Sequence, residues 1–197
     1  MSTGKKNTTQ YRFVKLARMN EIIFHSADLA NIWNIKNKNT LYTTLTRYVK
    51  QGLIFRIYRG LYSIKPIEQL DPYLLGLKAM HKYCYISTET VLAQAGIMQQ
   101  KMDYITLIGS KSKRFLIGNY NYYCRQLDDK FLFQYAGIIK KDGINIATTE
   151  RAIADLLYFN KNAYFDAKDK IDWKKVNKIQ KILGYDYDSA KSKRRYS

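Results

Sequence analysis

The stretch Thr40-Leu-Tyr-Thr-Thr-Leu-Thr-Arg-Tyr-Val-Lys-Gln-Gly-Leu-Ile-Phe-Arg-Ile-Tyr-Arg-Gly-Leu-Tyr-Ser-Ile64 changes its period half-way, and that change decides the fold of the first third of the chain. Over Thr40 to Gln51 the apolar residues Leu41, Leu45, Tyr48 and Val49 fall at i, i+4, i+7 and i+8, the spacing of one helix face. Gly52 supplies a stop, because glycine enters the left-handed region after a last turn without a Cβ clash. From Leu53 to Ile64 the residues are β-branched and aromatic around Arg59-Gly60, which predicts two short strands and a tight turn. Opposite the apolar stripe the helix carries Thr40, Thr43, Thr44, Arg47 and Lys50. Short hydroxyls and long cations of this kind reach phosphates and base edges, and arginine binds guanine through two parallel hydrogen bonds.

Toward the N-terminus, Phe13, Leu16, Ala17 and Ile22 predict a first helix from Tyr11 to Ile22, with Arg12, Lys15 and Arg18 on its other face. Ser26 is placed to cap a second, short helix bearing Asp28 in its first turn and Leu29, Ala30, Ile32 and Trp33 inward. The polar run Asn34 to Asn39 separates it from the third. Asn37, Lys38 and Thr40 precede or open that third helix, where free amides favour a phosphate and where capping is the competing role. Three short helices and then a hairpin with arginines at its tip is the element order of a winged helix-turn-helix, expected over residues 10–65. Arg56, Tyr58 and Arg59 on the wing are candidates for phosphate contact. Residues 1–9 are expected to be a flexible basic arm, with Lys5 and Lys6 as secondary contacts to a minor groove or the backbone.

The charge follows the same division. The formal net charge is +18, and a field of that size attracts polyanions. Residues 1–65 hold twelve Lys/Arg against two acids, residues 66–160 eleven against nine, and residues 161–197 eleven against five. A compositional bias toward lysine would not concentrate the excess in front in this way, so one module is expected to meet phosphates while another packs or signals.

Pro66 and Pro72 bracket the expected domain boundary, after which a second domain is predicted over residues 66–185. Helices are expected from Pro72 to about Lys82, over about 88–96 behind Ser87-Thr-Glu, over 149–159 behind Thr148-Thr-Glu, and over 172–183. Strand-like runs lie at Tyr104–Ile108, Arg114–Ile117, Tyr120–Arg125 and Phe131–Tyr135, with a hairpin around Asp142-Gly143. The expected fold class is therefore α+β: a winged helix-turn-helix followed by an α+β C-terminal domain. In the helix over 172–183, Trp173, Val176, Ile179, Ile182 and Leu183 face Lys174, Lys175, Lys178 and Lys181 across the axis. Lys111, Lys113 and Arg114 form a small basic cluster beside Ser110 and Ser112, a secondary candidate for touching DNA that flanks a main site. Residues 186–197 are expected to be a disordered basic tail.

Several function classes find no support. His25 and His81 are the two histidines, and no G-x-S-x-G, H-E-x-x-H, P-loop or dinucleotide fingerprint occurs, so no catalytic residue, metal ligand or cofactor is expected. Asp128-Asp129 is explained by turn and capping roles. Cys84 and Cys124 have no CxxC spacing and are expected to be buried free thiols. No run of eighteen apolar residues occurs and the first residues are polar, so a cytoplasmic protein without membrane partners is expected.

Three segments carry a family resemblance. Tyr85-Ile-Ser-Thr-Glu-Thr-Val-Leu-Ala-Gln-Ala-Gly-Ile, Ile146-Ala-Thr-Thr-Glu-Arg-Ala-Ile-Ala-Asp-Leu-Leu and Arg59-Gly-Leu-Tyr resemble, in order and spacing over roughly residues 10–160, the signature segments of AbiEi-type antitoxins. The resemblance implies a prokaryotic regulator of a type IV toxin-antitoxin or abortive-infection system, with an N-terminal winged helix and an α+β C-terminal domain. It implies repression of its own promoter, double-stranded DNA as partner at repeated half-sites, and opposition to a nucleotidyltransferase-like toxin without a stable complex. By position, residues 39–51 would read the operator and residues 53–64 would grip phosphates. The alternative is an antitoxin or adaptor whose C-terminal domain binds a partner protein directly, with DNA binding secondary.

Overall fold

The computed structural model describes residues 3–19, 21–100 and 102–185, with the backbone alone for residues 3–8. The expected basic tail at 186–197 lies outside the described residues. The chain divides into two compact units, Met1–Asp71 and Pro72–Ser197, so the break comes at Pro72 rather than at residue 66. Helices and sheets occur in both, which makes the fold α+β. Among the described residues no helix is long and apolar enough to cross a membrane.

In the first unit, helix α1 spans Thr3–Ala17, strand β1 Ile23–His25, helix α2 Ser26–Ile32, helix α3 Lys38–Lys50, strand β2 Phe55–Tyr58 and strand β3 Leu61–Ser63. The three strands form an antiparallel sheet in the order β1-β3-β2. Strand β1 was not expected. The expected first helix runs to Ile22, yet α1 ends at Ala17, and the residues just after Ile22 form a strand in which Ile23 pairs with Ser63 and Phe24 with Tyr62. It begins at Thr3, inside the segment expected to be a flexible arm, and Ala17 is exposed rather than inward. At the head of α2, His25 takes the cap position expected for Ser26, and its backbone N–H donates to Asp28 Oδ2 at 3.0 Å. The unit closes on Leu16, Phe24, Leu29, Trp33, Leu41, Leu45 and Tyr48, all buried. Trp33 meets Tyr48 edge-on at 5.4 Å.

The second unit contains α4 (Pro72–Ala79), β4 (Cys84–Ile86), α5 (Glu89–Gln94), β5 (Ile105–Gly109), β6 (Lys113–Ile117), β7 (Tyr120–Gln126), α6 (Asp129–Leu132), β8 (Ile138–Lys141), β9 (Ile144–Ala147), α7 (Thr149–Phe159) and α8 (Trp173–Leu183). Its sheet runs β6-β7-β5-β4-β9-β8, with β5–β7 and β4–β9 parallel and the remaining pairs antiparallel. The central strand β4 is buried at all three residues and so carries no alternation to betray it. Phe131–Tyr135, expected as a strand, instead enters α6. Asp128 caps that turn by accepting from the Lys130 N–H, and Phe131 and Leu132 are buried consecutively, which a half-exposed strand does not allow. On α8, Val176 and Leu183 are buried as the spacing requires, while Trp173 and Ile182 are exposed.

Candidate nucleic-acid interface

Helix α3 owes its position to the same residues that predicted it. Leu41, Leu45 and Tyr48 are buried, and Asn37 caps the helix by accepting the Thr40 N–H on Oδ1 at 3.1 Å. Gly52 follows the last turn with φ +67. The outer face then presents Lys38, Thr40, Thr43, Arg47 and Lys50, all exposed. Asn37 is exposed as well, and its side chain is committed to the cap. Thr44 is a correction: it is 6% exposed, because it stands three residues after Leu41 and four before Tyr48 and so falls into the apolar stripe. It belongs to the core and not to the outer face.

Two residues that the spacing argument passed over join this face. Tyr42 is 42% exposed, and Thr46, four residues on, is exposed beside it. Counting positions i and i+4 from Tyr42 would have found both. The Arg47 guanidinium lies 5.3 Å from the Tyr48 ring centroid, which orients a side chain that would otherwise be free to swing. Arg47 also borders a groove of about 580 Å³ whose other walls include Phe13 and Val14 of α1 and Gln51 and Leu53.

On the hairpin, Arg56 and Arg59 are exposed while Tyr58 is half-buried, and burial pushes its phenol above the ordinary value. The β2–β3 register shifts between Arg56 and Tyr58, an irregularity that increases twist at the hairpin end. Gly60, at φ +93, makes the turn, and its carbonyl accepts the Ser26 N–H at 2.9 Å, which ties the hairpin to the start of α2. The side chains of Lys5 and Lys6 lie outside the described residues; their backbone is in α1.

Lys111, Lys113 and Arg114 belong to the second unit, at the entry to β6, and all three are exposed. The Lys113 ammonium lies 5.0 Å from the Phe115 ring, and the Arg114 guanidinium 4.6 Å from that of Tyr123. The four lysines of α8 are exposed too, with Lys175 paired to Asp172 at 3.1 Å.

Two segments of the second unit, around Tyr85 and around Arg151, do different work. Tyr85 in β4, Ser87 just after it, and Arg151 and Asp155 on α7 meet in one buried network. Asp155 accepts hydrogen bonds from Arg151 Nε at 2.9 Å, Ser87 Oγ at 2.8 Å, Tyr85 Oη at 3.1 Å and Tyr185 Oη at 2.6 Å. Arg151 donates further to Tyr85 Oη at 2.7 Å and to the carbonyls of Gln134 and Ala136 at 2.8 and 2.9 Å. Both members of the ion pair are 0% exposed. Burial raises Asp155 above the usual carboxylate range against the pull of Arg151 and the hydroxyls, and it raises the Tyr85 and Tyr185 phenols, which stay protonated donors. Arg151 loses stability as a cation through burial but regains more from Asp155 and the phenols, so it remains charged. Tyr85, Ser87, Arg151 and Asp155 are 0% exposed and Tyr185 is 7% exposed, so this set holds α7, β4 and the 134–137 segment together as part of the core.

No protein-family model matches the chain, and no curated protein matches it.

Proposed function

We propose that the first unit is a winged helix-turn-helix that places α3 in the major groove of double-stranded DNA, and that the protein is a transcriptional repressor acting as the antitoxin of a type IV, AbiE-like system. The observation that carries the DNA reading is the exposed face Lys38, Thr40, Thr43, Arg47, Lys50, set on a helix whose opposite face is buried, with Arg56 and Arg59 exposed on the neighbouring hairpin. A rigid helix with cations and hydroxyls outward suits groove insertion, while the wing arginines suit phosphates. The antitoxin half of the proposal rests on the resemblance of the signature segments. In it, the protein represses its own promoter at repeated half-sites and opposes a nucleotidyltransferase-like toxin.

Fluorescence anisotropy of the full chain on the duplex upstream of its own gene tests this. Arg47→Ala is expected to lose roughly 1–3 kcal/mol with relaxed base preference, whereas Lys50→Ala weakens all sequences alike and lowers the salt slope by about one. Unchanged affinity in both variants overturns the assignment of α3.

A second reading has its own observation. Phe133 and Tyr135 are 50% and 61% exposed and pack around Tyr83 at ring separations of 5.8 and 5.5 Å. Aromatic clusters of this kind anchor protein interfaces, so the second unit would bind the toxin or another partner directly. Size-exclusion chromatography of the pair, with Tyr135→Ala as control, separates the two readings.

A further inference from the structure

The groove of about 580 Å³ beside Arg47 lies wholly within the first unit, and the proposed function leaves it unused. Its walls include Phe13 and Val14 of α1, Leu53 after α3, and the side-chain amides of Gln10 and Gln51. The volume lies in the range of small-molecule sites, and apolar walls with a few polar groups are their usual composition.

Helical spacing explains how the groove and the outer face of α3 come to share a residue. On α1, Gln10 and Val14 stand one turn apart and project to one side. On α3, Thr43, Arg47 and the cap residue Gln51 stand at i, i+4 and i+8. Thr43 is exposed on the outer face and Gln51 lines the groove, so Arg47 between them borders both.

Arg47 is also what selects a ligand. Among the described residues it is the one charged member of the lining. Its contact with the Tyr48 ring, at 5.3 Å, orients the guanidinium and supplies no oxygen acceptor for its N–H groups. A carboxylate would take two of them at once. A cation would face Arg47 within residues 1–65, which already hold twelve Lys/Arg against two acids. A neutral apolar molecule would cover Phe13, Val14 and Leu53 but leave the guanidinium unmatched. An anion with a hydrocarbon body meets the walls and the guanidinium together, and the two amides add donors for its head group.

We propose that this groove binds a small organic anion with an apolar body, of the medium-chain carboxylate class, anchored on Arg47. Where α3 reads DNA, such a ligand competes with the duplex for the same guanidinium and weakens promoter binding; this consequence rests on the DNA reading, whereas the site itself does not.

Isothermal titration calorimetry of the full chain at fixed ionic strength tests the site with octanoate, 1-octanol and octylammonium, three head groups on one hydrocarbon chain. Saturable one-site binding of octanoate is expected, about tenfold tighter than that of 1-octanol, with octylammonium weakest. Arg47→Ala removes the advantage of octanoate over 1-octanol. Val14→Glu, an exposed change on the α1 wall, weakens octanoate about fivefold and favours octylammonium instead, with the melting temperature unchanged in both variants. Lys140→Ala removes the same charge from an exposed position of β8 in the second unit and leaves octanoate binding as it was. The site is overturned if octanoate does not saturate, if the three head groups bind alike, or if Lys140→Ala costs as much as Arg47→Ala, which would assign the effect to the general field of the chain. Anisotropy on the promoter duplex then tests the competition: saturating octanoate raises the Kd of the parent chain and not that of Arg47→Ala, and equal increases in both overturn it. A parent chain that binds octanoate but no duplex removes the DNA reading and leaves the site standing.

Discussion

The two units keep their charges in opposite places. In the first, the cations of α3 and the β2–β3 hairpin are exposed, and the core beneath them is built from Leu16, Leu29, Leu41, Leu45 and aromatic rings. In the second, Arg151 and Asp155 are withdrawn wholly from water and joined by two phenols, a serine and two carbonyls. An exposed cation needs no partner and remains available to one. A buried pair repays its desolvation only when nearly every donor and acceptor is used, so it rewards one arrangement of the chain over its competitors. The segments Tyr85-Ile-Ser and Thr-Glu-Arg-Ala-Ile-Ala-Asp thus serve the core of the second unit, while the residues expected to meet DNA lie almost entirely elsewhere.

The largest test of that contrast removes one partner of the pair. Asp155→Ala leaves Arg151 charged and uncompensated, and about 3–5 kcal/mol of stability should be lost in urea denaturation. Lys50→Ala in the first unit, an exposed change in the last turn of α3, should cost less than about 1 kcal/mol. Equal effects at the two positions would break the distinction between a cation that holds the fold and one that is free to bind.

How much of this was readable in the sequence depends on whether the signal was periodic. Helices α3 and α7 were, because each pairs a strong apolar stripe with a capping hydroxyl or amide, Asn37 and Thr148, at its head. The β2–β3 and β8–β9 hairpins were, through Arg59-Gly60 and Asp142-Gly143, where Gly60, Asp142 and Gly143 take the positive φ of a tight turn. Strands β1 and β4 were not, since three residues give no period and a fully buried strand does not alternate. Thr44 was misplaced because its polarity was read in preference to its position in the stripe. The i, i+4 spacing of Arg151 and Asp155 was visible, but the partners that bury them, Tyr85 and Tyr185, are 66 and 30 residues away in sequence.

Two glycines sharpen the comparison. Gly137 has φ +74, and a Cβ there would come within 2.7 Å of Arg151 Cβ, because the 134–137 backbone lies directly over the buried guanidinium. Gly52, at φ +67, has nothing within 4 Å of the equivalent point. Gly52→Ala should therefore cost only the left-handed strain, about 1–2 kcal/mol, whereas Gly137→Ala adds a steric term of about 1–3 kcal/mol. Similar losses at the two sites would mean that the chain over Arg151 yields easily.

A smaller effect separates two adjacent threonines of α3. Thr44→Ala removes a methyl and a hydroxyl from the core and should cost about 1 kcal/mol of stability with DNA affinity per folded molecule unchanged. Thr43→Ala should do the reverse, leaving stability within about 0.5 kcal/mol and weakening binding to the promoter duplex. Paired denaturation and anisotropy measurements read both. Reversal of the two phenotypes would rotate the binding face of the helix and displace Arg47 from it.

The smallest effect concerns the cysteines, both of which lie in the second unit and are buried and free. Burial pushes the Cys124 thiol up to about 12, with Lys113 pulling weakly the other way, and raises Cys84 as well. A thiol whose folded value is raised adds stability that is fully present below its unfolded value near 9 and is lost as pH climbs from there through the folded value. At pH 8 the loss has scarcely begun, so denaturation midpoints at pH 7 and pH 8 should agree as far as the thiols contribute, and a disulfide reagent should label neither cysteine in the native chain but both in urea. Prompt labelling of the native chain at pH 8 would show that the β4–β5–β7 core opens on the timescale of the assay, and the second unit would then be the looser of the two despite its buried ion pair.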